Sequence, residues 1–81
     1  MSHVPHDLAA EFPGLAGRIH ALKQADGRFA ELVERYHVVN RALHRMEERI
    51  ESVSEETERA SRLERLHLKD EIARALAAEA A

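Results

Sequence analysis

Cysteine and tryptophan are absent from this chain of 81 residues, and glycine and proline are scarce. Without cysteine the protein can form no disulfide, and it has neither a thiolate nucleophile nor a thiolate metal ligand. The three glycines and two prolines all lie in the first third, so residues 28–81 lack the two residue types that most disfavour a helix. With abundant alanine, glutamate, leucine and arginine, this composition predicts an all-α protein.

Long apolar runs and blocks of like charge are missing as well. No stretch approaches the roughly 18 apolar residues of a membrane span, and residues 1–12 lack the apolar core of a signal peptide. The net charge is −3, and acidic and basic residues are interleaved, which is typical of solvated helix faces. We therefore expect a cytoplasmic protein without a membrane span. Nucleic acid is a disfavoured partner, because its binding normally requires a basic stripe.

The first third of the chain is divided into short segments, and it predicts a short N-terminal helical segment over residues 7–25. Asp7 is suited to cap one helical turn that stops at Phe12, because the residue before a proline avoids the α region. Pro13 suits the first turn of a second helix, where its missing N–H is harmless. The apolar face of that second helix is formed by Leu15, Ile19 and Leu22.

The strongest pattern is an apolar seam that begins just after Asp26 and Gly27. Asp26 is a favourable N-cap. Beyond it, eight apolar residues follow one another at alternating spacings of three and four, as at positions a and d of a coiled coil. This pattern predicts a helix over residues 28–51 that packs lengthwise on another helix. The seam consists of Phe29, Leu32, Tyr36, Val39, Leu43, Met46, Ile50 and Val53.

The last third of the chain has its apolar residues in a different phase. Extended past residue 53, the seam would meet polar residues such as Glu64 and His67. Between the two phases, Ser54 is suited to cap a helix whose first turn is acidic. The apolar residues of this last segment are Leu63, Leu66, Leu68, Ile72, Ala73 and Leu76.

A change of phase between two segments of nearly equal length favours an antiparallel helical hairpin. In this interpretation residues 55–77 return along residues 28–51, and residues 1–81 form a single helical domain. The alternative is one continuous helix over residues 28–81, which the lack of glycine near the turn favours.

The return helix is apolar over a wide arc, about 220° on a helical wheel. One hairpin partner covers roughly half of that arc, and a chain this short buries only about 60% of its unfolded surface. We therefore expect a homo-oligomer, docking on a larger protein, or both. Asn40 and Lys69 are candidates for setting register or partner choice, or else a rim amide and a lysine with a buried stem. The predicted helix-packing interface comprises Phe29, Leu32, Tyr36, Val39, Leu43, Met46, Ile50, Leu63, Leu66, Ile72 and Leu76.

Two sequences, Glu34-x-x-His37 and Glu64-x-x-His67, match the Glu-x-x-His pattern of di-iron bundles. The seam places the first pair on the outer side of its helix, and the second pair falls outside the apolar arc. We therefore interpret both pairs as surface residues. No histidine lies beside a serine or threonine in a nucleophile motif, and no glycine-rich phosphate loop is present. The sequence predicts no catalytic residue, metal, cofactor or small-molecule substrate.

Several short stretches of the sequence together suggest a relationship to known proteins. They are His3-Val4-Pro5-His6-Asp7-Leu8, Glu11-Phe12-Pro13, Ile19-His20-Ala21-Leu22-Lys23, Tyr36-His37, Asn40-Arg41 and Leu66-His67-Leu68-Lys69-Asp70-Glu71-Ile72. These stretches resemble the YdcH-like family of small bacterial proteins, and the resemblance extends over nearly the whole chain. It implies a short N-terminal helix followed by a helical hairpin. It also implies a family without an established biochemical function, and therefore no catalytic residues to transfer.

Together these features predict a non-catalytic helical interaction module or small accessory subunit. It would act by self-association, by docking on a larger protein, or by both. The alternative hypothesis is a small nucleic-acid-associated regulator. That function would require one basic stripe formed by Arg28, Arg35, Arg41, Arg45 and Arg49.

Overall fold

The computed structural model describes residues 8–48 and 53–80, and these residues form helices without a strand. The third and fourth helices pack against each other as a hairpin, which confirms the predicted all-α class and architecture. The helices are α1 (Leu8–Glu11), α2 (Ala16–Ala25), α3 (Gly27–Glu47) and α4 (Glu55–Ala80).

Contacts between residues far apart in the chain establish the antiparallel arrangement of α3 and α4. Arg65 Nη1 donates a hydrogen bond to Asn40 Oδ1 at 2.9 Å. Nearer the turn, Arg62 Nη2 lies 3.4 Å from Glu47 Oε2. The longest dimension of the protein is 41 Å, about half of the roughly 80 Å that a continuous helix over residues 28–81 would span. The hairpin is therefore the correct one of the two alternatives.

Two of the three predicted N-caps are present, and the third, Asp7, lies outside the described residues. Asp26 Oδ1 accepts hydrogen bonds from the backbone N–H groups of Arg28 at 3.0 Å and Phe29 at 3.3 Å. Ser54 Oγ accepts from the backbone N–H of Thr57 at 3.0 Å. Each cap satisfies N–H groups that have no partner inside the helix. These local bonds position the beginnings of α3 and α4.

The prediction that Pro13 lies in the first turn of a helix is wrong. Pro13 and Gly14 form a turn in which the backbone N–H of Leu15 donates to the carbonyl of Phe12 at 3.1 Å. Gly14 has a φ of 81°, the value that a type II turn requires at its third residue and that is incompatible with a right-handed helix. For this reason α2 begins only at Ala16.

The main core lies in the half of the hairpin that is remote from the turn. There α1 and α2 fold back over α3 and α4, and Arg18 Nη2 of α2 donates a hydrogen bond to the backbone carbonyl of Leu76 in α4 at 2.7 Å. The buried residues of α3 continue toward the turn, whereas those of α4 lie only in its second half. The core residues are Leu8, Ile19, Leu22, Phe29, Val33, Tyr36, Leu68, Ile72 and Leu76.

Candidate interaction surface

The seam of α3 faces inward along its described length. Leu32 and Val39 are partly buried at the edges of this contact. Ile50, the remaining interface residue predicted in this segment, lies outside the described residues. The fully inward positions are Phe29, Tyr36, Leu43 and Met46.

On α4 the predicted interface residues divide into two groups. Ile72 and Leu76 are buried, but 53% of Leu63 and 51% of Leu66 remain exposed. At 100° per residue, Leu66 lies about 120° and Leu63 about 180° from Ile72 around the helix axis. Leu63 and Leu66 therefore lie away from the buried stripe of α4, and Leu66 lines a groove beside Tyr36 of α3 and Glu11 of α1. Their packing against another chain stays a prediction.

Two core residues of the long helices, Val33 and Leu68, are missing from the predicted interface, as are the core residues of α1 and α2, Leu8, Ile19 and Leu22. Val33 is buried because α1 and α2 pack on the side of α3 where it lies. Val33 lies four residues after Phe29, so helical spacing alone could have identified it. The alternating spacing of three and four selected Leu32 instead. Leu68 lies four residues before Ile72, so the spacing of buried residues in α4 follows fours rather than alternating threes and fours.

The two polar residues predicted to set register both make contacts between helices. Asn40 is only 7% exposed, and its Oδ1 accepts the hydrogen bond from Arg65 described above. Lys69 is partly buried, and its Nζ lies 2.5 Å from Glu11 Oε1, so it links α4 to α1. The hydrogen bond between Arg65 and Asn40 has a defined direction, and such a bond favours one alignment of α3 and α4.

A shallow groove of about 260 Å³ lies between α1, α2 and α3. Its floor is apolar, and His20, Lys23 and His37 lie at its edge. Small-molecule pockets bury most of the surface of their ligand, and a groove this shallow does not. It is lined by Leu8, Ala9, Ala16, Ile19, His20, Lys23, Val33 and His37.

The Glu-x-x-His pairs lie on the surface of the two long helices. Glu34, Glu64 and His67 are exposed, and His37 is partly buried. Among residues 8–48 and 53–80, no three histidine, aspartate or glutamate side chains are grouped closely enough to hold a metal ion.

Of the five arginines in the hypothetical basic stripe, Arg28 and Arg35 lie close to acidic residues, and Arg49 lies outside the described residues. Arg28 and Arg35 line a groove that also contains Asp26, Glu31 and Glu71. Mixed charge at this edge does not produce the continuous positive surface that a phosphate backbone requires. The nucleic-acid hypothesis therefore gains no support from this groove.

None of the described helices combines the length and the apolar character that crossing a membrane requires.

Comparison with known proteins identifies the family. Residues 29–76, more than half of the chain, match the model of a family described as "Protein of unknown function (DUF465)". The chain therefore belongs to DUF465, which is the YdcH family that its sequence resembles. No curated protein and no solved structure gives a match.

Proposed function

We propose that this member of the DUF465 family is a non-catalytic helical interaction module or small accessory subunit. It would act by packing the outer side of α4 against a helix of another chain. The observation that supports this function is the pair Leu63 and Leu66, which are 53% and 51% exposed on the longest helix of the protein.

Single exposed leucines are ordinary on protein surfaces, but these two share a face. They are three residues apart, so they lie side by side on one turn of the helix. The same face continues with the small residues Ala73 and Ala77. Two neighbouring leucines followed by alanines allow a second helix to approach closely along the axis.

The energy available from this face suits a reversible contact. Full burial of a leucine side chain stabilises by about 1.5–3 kcal/mol, so covering the exposed half of two leucines contributes about 2 kcal/mol from each chain. The inner residues Leu68, Ile72 and Leu76 are already packed in the hairpin. Docking on the outer side therefore requires no opening of the core.

Photo-crosslinking in living cells tests this function. A photoreactive amino acid is introduced at position 66 of the full chain, and the control carries it at position 34, which is exposed on α3. We expect position 66 to form a defined covalent product with a protein chain and position 34 to form none. Equal products from the two positions, or none from position 66, would contradict the proposed function.

A further inference from the structure

The outer side of α4 has a symmetrical arrangement of leucines and charges. Arg59, Leu63, Leu66 and Asp70 are spaced by four, three and four residues, and all four are exposed. At 100° per residue they fall within an arc of about 60°. These four residues are named the outer face. Its midpoint lies between the two leucines, and its two ends carry opposite charges.

We propose that the outer face binds the outer face of a second copy of this chain in antiparallel orientation. The inference rests on the proposed function and specifies its partner. When two antiparallel helices align at the midpoint, Leu63 of each copy meets Leu66 of the other. Arg59 of each copy then meets Asp70 of the other. One alignment therefore covers all four leucines and forms two ion pairs.

Other alignments of the two copies are electrostatically worse. A parallel pair would place Arg59 beside Arg59 and Asp70 beside Asp70, and like charges in contact repel. A shift by one heptad in the antiparallel pair would place Asp70 against Leu66, which leaves a carboxylate without a partner on an apolar surface. The antiparallel alignment at the midpoint is the arrangement that satisfies both kinds of residue.

Two cationic side chains next to the outer face, those of Arg62 and Lys69, form ion pairs within the chain. Arg62 Nη2 lies 2.6 Å from Glu58 Oε2, and Lys69 pairs with Glu11. In contrast, Arg59 and Asp70 form no ion pair with any other residue that the structure describes. No ion pair within the described residues therefore competes with the pairing of Arg59 and Asp70 between two copies.

A second pair of opposite charges, further from the midpoint, is also brought together by the antiparallel alignment. Glu56 lies near one end of the face and Arg74 near the other, and both are exposed. In the proposed alignment, Glu56 of each copy lies beside Arg74 of the other. The charges in the first half of α4 thus complement those in the second half of the other copy. This complementarity extends over about 18 residues, or roughly 27 Å of helix.

The test uses the variants Arg59→Asp and Asp70→Arg in the full chain. Either change replaces two attractive pairs with two repulsive pairs in the homodimer. We expect the wild-type chain to pass from a mass of 9.2 kDa to twice that value as its concentration rises in analytical ultracentrifugation. For each variant alone we expect the dissociation constant to rise about tenfold, equal to about 1.4 kcal/mol.

An equimolar mixture of the two variants is the decisive measurement. In the mixed dimer, the aspartate introduced at position 59 of one variant meets the arginine introduced at position 70 of the other. The unchanged Asp70 and Arg59 of the two chains meet at the opposite end, so both pairs are attractive again. We expect the mixture, and also the double variant Arg59→Asp/Asp70→Arg, to associate about as strongly as the wild type. Added salt is expected to weaken the mixed dimer, because exposed pairs are screened.

Arg41→Asp and Glu34→Arg are the matched controls. They change the net charge by the same amounts at exposed positions on α3, and we expect them to associate like the wild type. Circular dichroism serves to check that every variant is folded. A wild type that stays monomeric would overturn the inference, as would single variants that associate normally or a mixture no stronger than its components. If position 66 crosslinks only to a different protein and the purified chain is monomeric, this inference fails while the proposed function stands.

Discussion

The two halves of the hairpin use the same two helices and are built differently. Remote from the turn, both helices bury apolar residues, with Phe29 in α3 and Ile72 in α4 as examples, and α1 and α2 cover this half. Next to the turn, α3 still buries Leu43 and Met46. In this half α4 contributes no buried apolar residue among those described before Leu68.

Polar contacts take the place of apolar ones on the α4 side of the turn half. Arg65 bonds to Asn40, and Arg62 pairs with Glu47 and Glu58. Apolar packing is strong but nondirectional, whereas hydrogen bonds have defined geometry. We infer that the remote half supplies most of the stability and that the turn half fixes the alignment of the helices. Because the inner side of α4 is polar here, its leucines lie outside and are available to a partner.

The largest effect is expected from placing a charge in the buried side of the turn half. Leu43 is 0% exposed, so Leu43→Asp buries a carboxylate without a partner, which costs several kcal/mol. That loss is comparable to the total stability of a small domain. We expect the variant to be unfolded by circular dichroism at room temperature. Val38→Asp makes a similar change at a half-exposed position of the same helix and is expected to remain folded. Equal melting curves for the two variants would show that the turn half has no real core.

A smaller difference is expected between the two groups of apolar residues in α4. Ile72→Ala removes a fully buried side chain and is expected to lower the free energy of unfolding by about 2–5 kcal/mol. Leu66→Ala removes a half-exposed one and is expected to change it by about 0.5 kcal/mol or less in dilute solution. Urea denaturation at low protein concentration measures both values. Similar losses for the two variants would mean that Leu66 belongs to the core of the single chain.

The smallest effect concerns the contact between Asn40 and Arg65. A double-mutant cycle with Asn40→Ala and Arg65→Ala is expected to give a coupling free energy of about 1 kcal/mol. The control cycle combines Asn40→Ala with Arg59→Ala, which lies elsewhere on α4, and is expected to be additive. Denaturation of the four chains of each cycle gives the coupling. A value near zero for Asn40 and Arg65 would remove the proposed role of this contact in alignment.

Local features of this fold were predictable because they depend on neighbouring residues. The caps at Asp26 and Ser54 were recognised because a side chain bonds to an N–H two or three residues later. The change of apolar phase after the seam predicted the hairpin. The prediction for Pro13 was wrong because Gly14 adopts a φ of 81°, which places Pro13 in a tight turn before α2. A proline suits both such a turn and the first turn of a helix, and the conformation of the next residue decides between them.

The sequence by itself determined where α3 and α4 begin, that α3 presents one continuous apolar side, and that α4 has more apolar surface than one partner helix can cover. Only the tertiary structure decided which part of that surface lies inside. Periodicity marks a face but does not say what will cover it, and Leu63, Leu66 and Leu68 are equally apolar in the sequence. The contact with α3, together with α1 and α2 packed over the remote half, buries Leu68 and leaves Leu63 and Leu66 exposed.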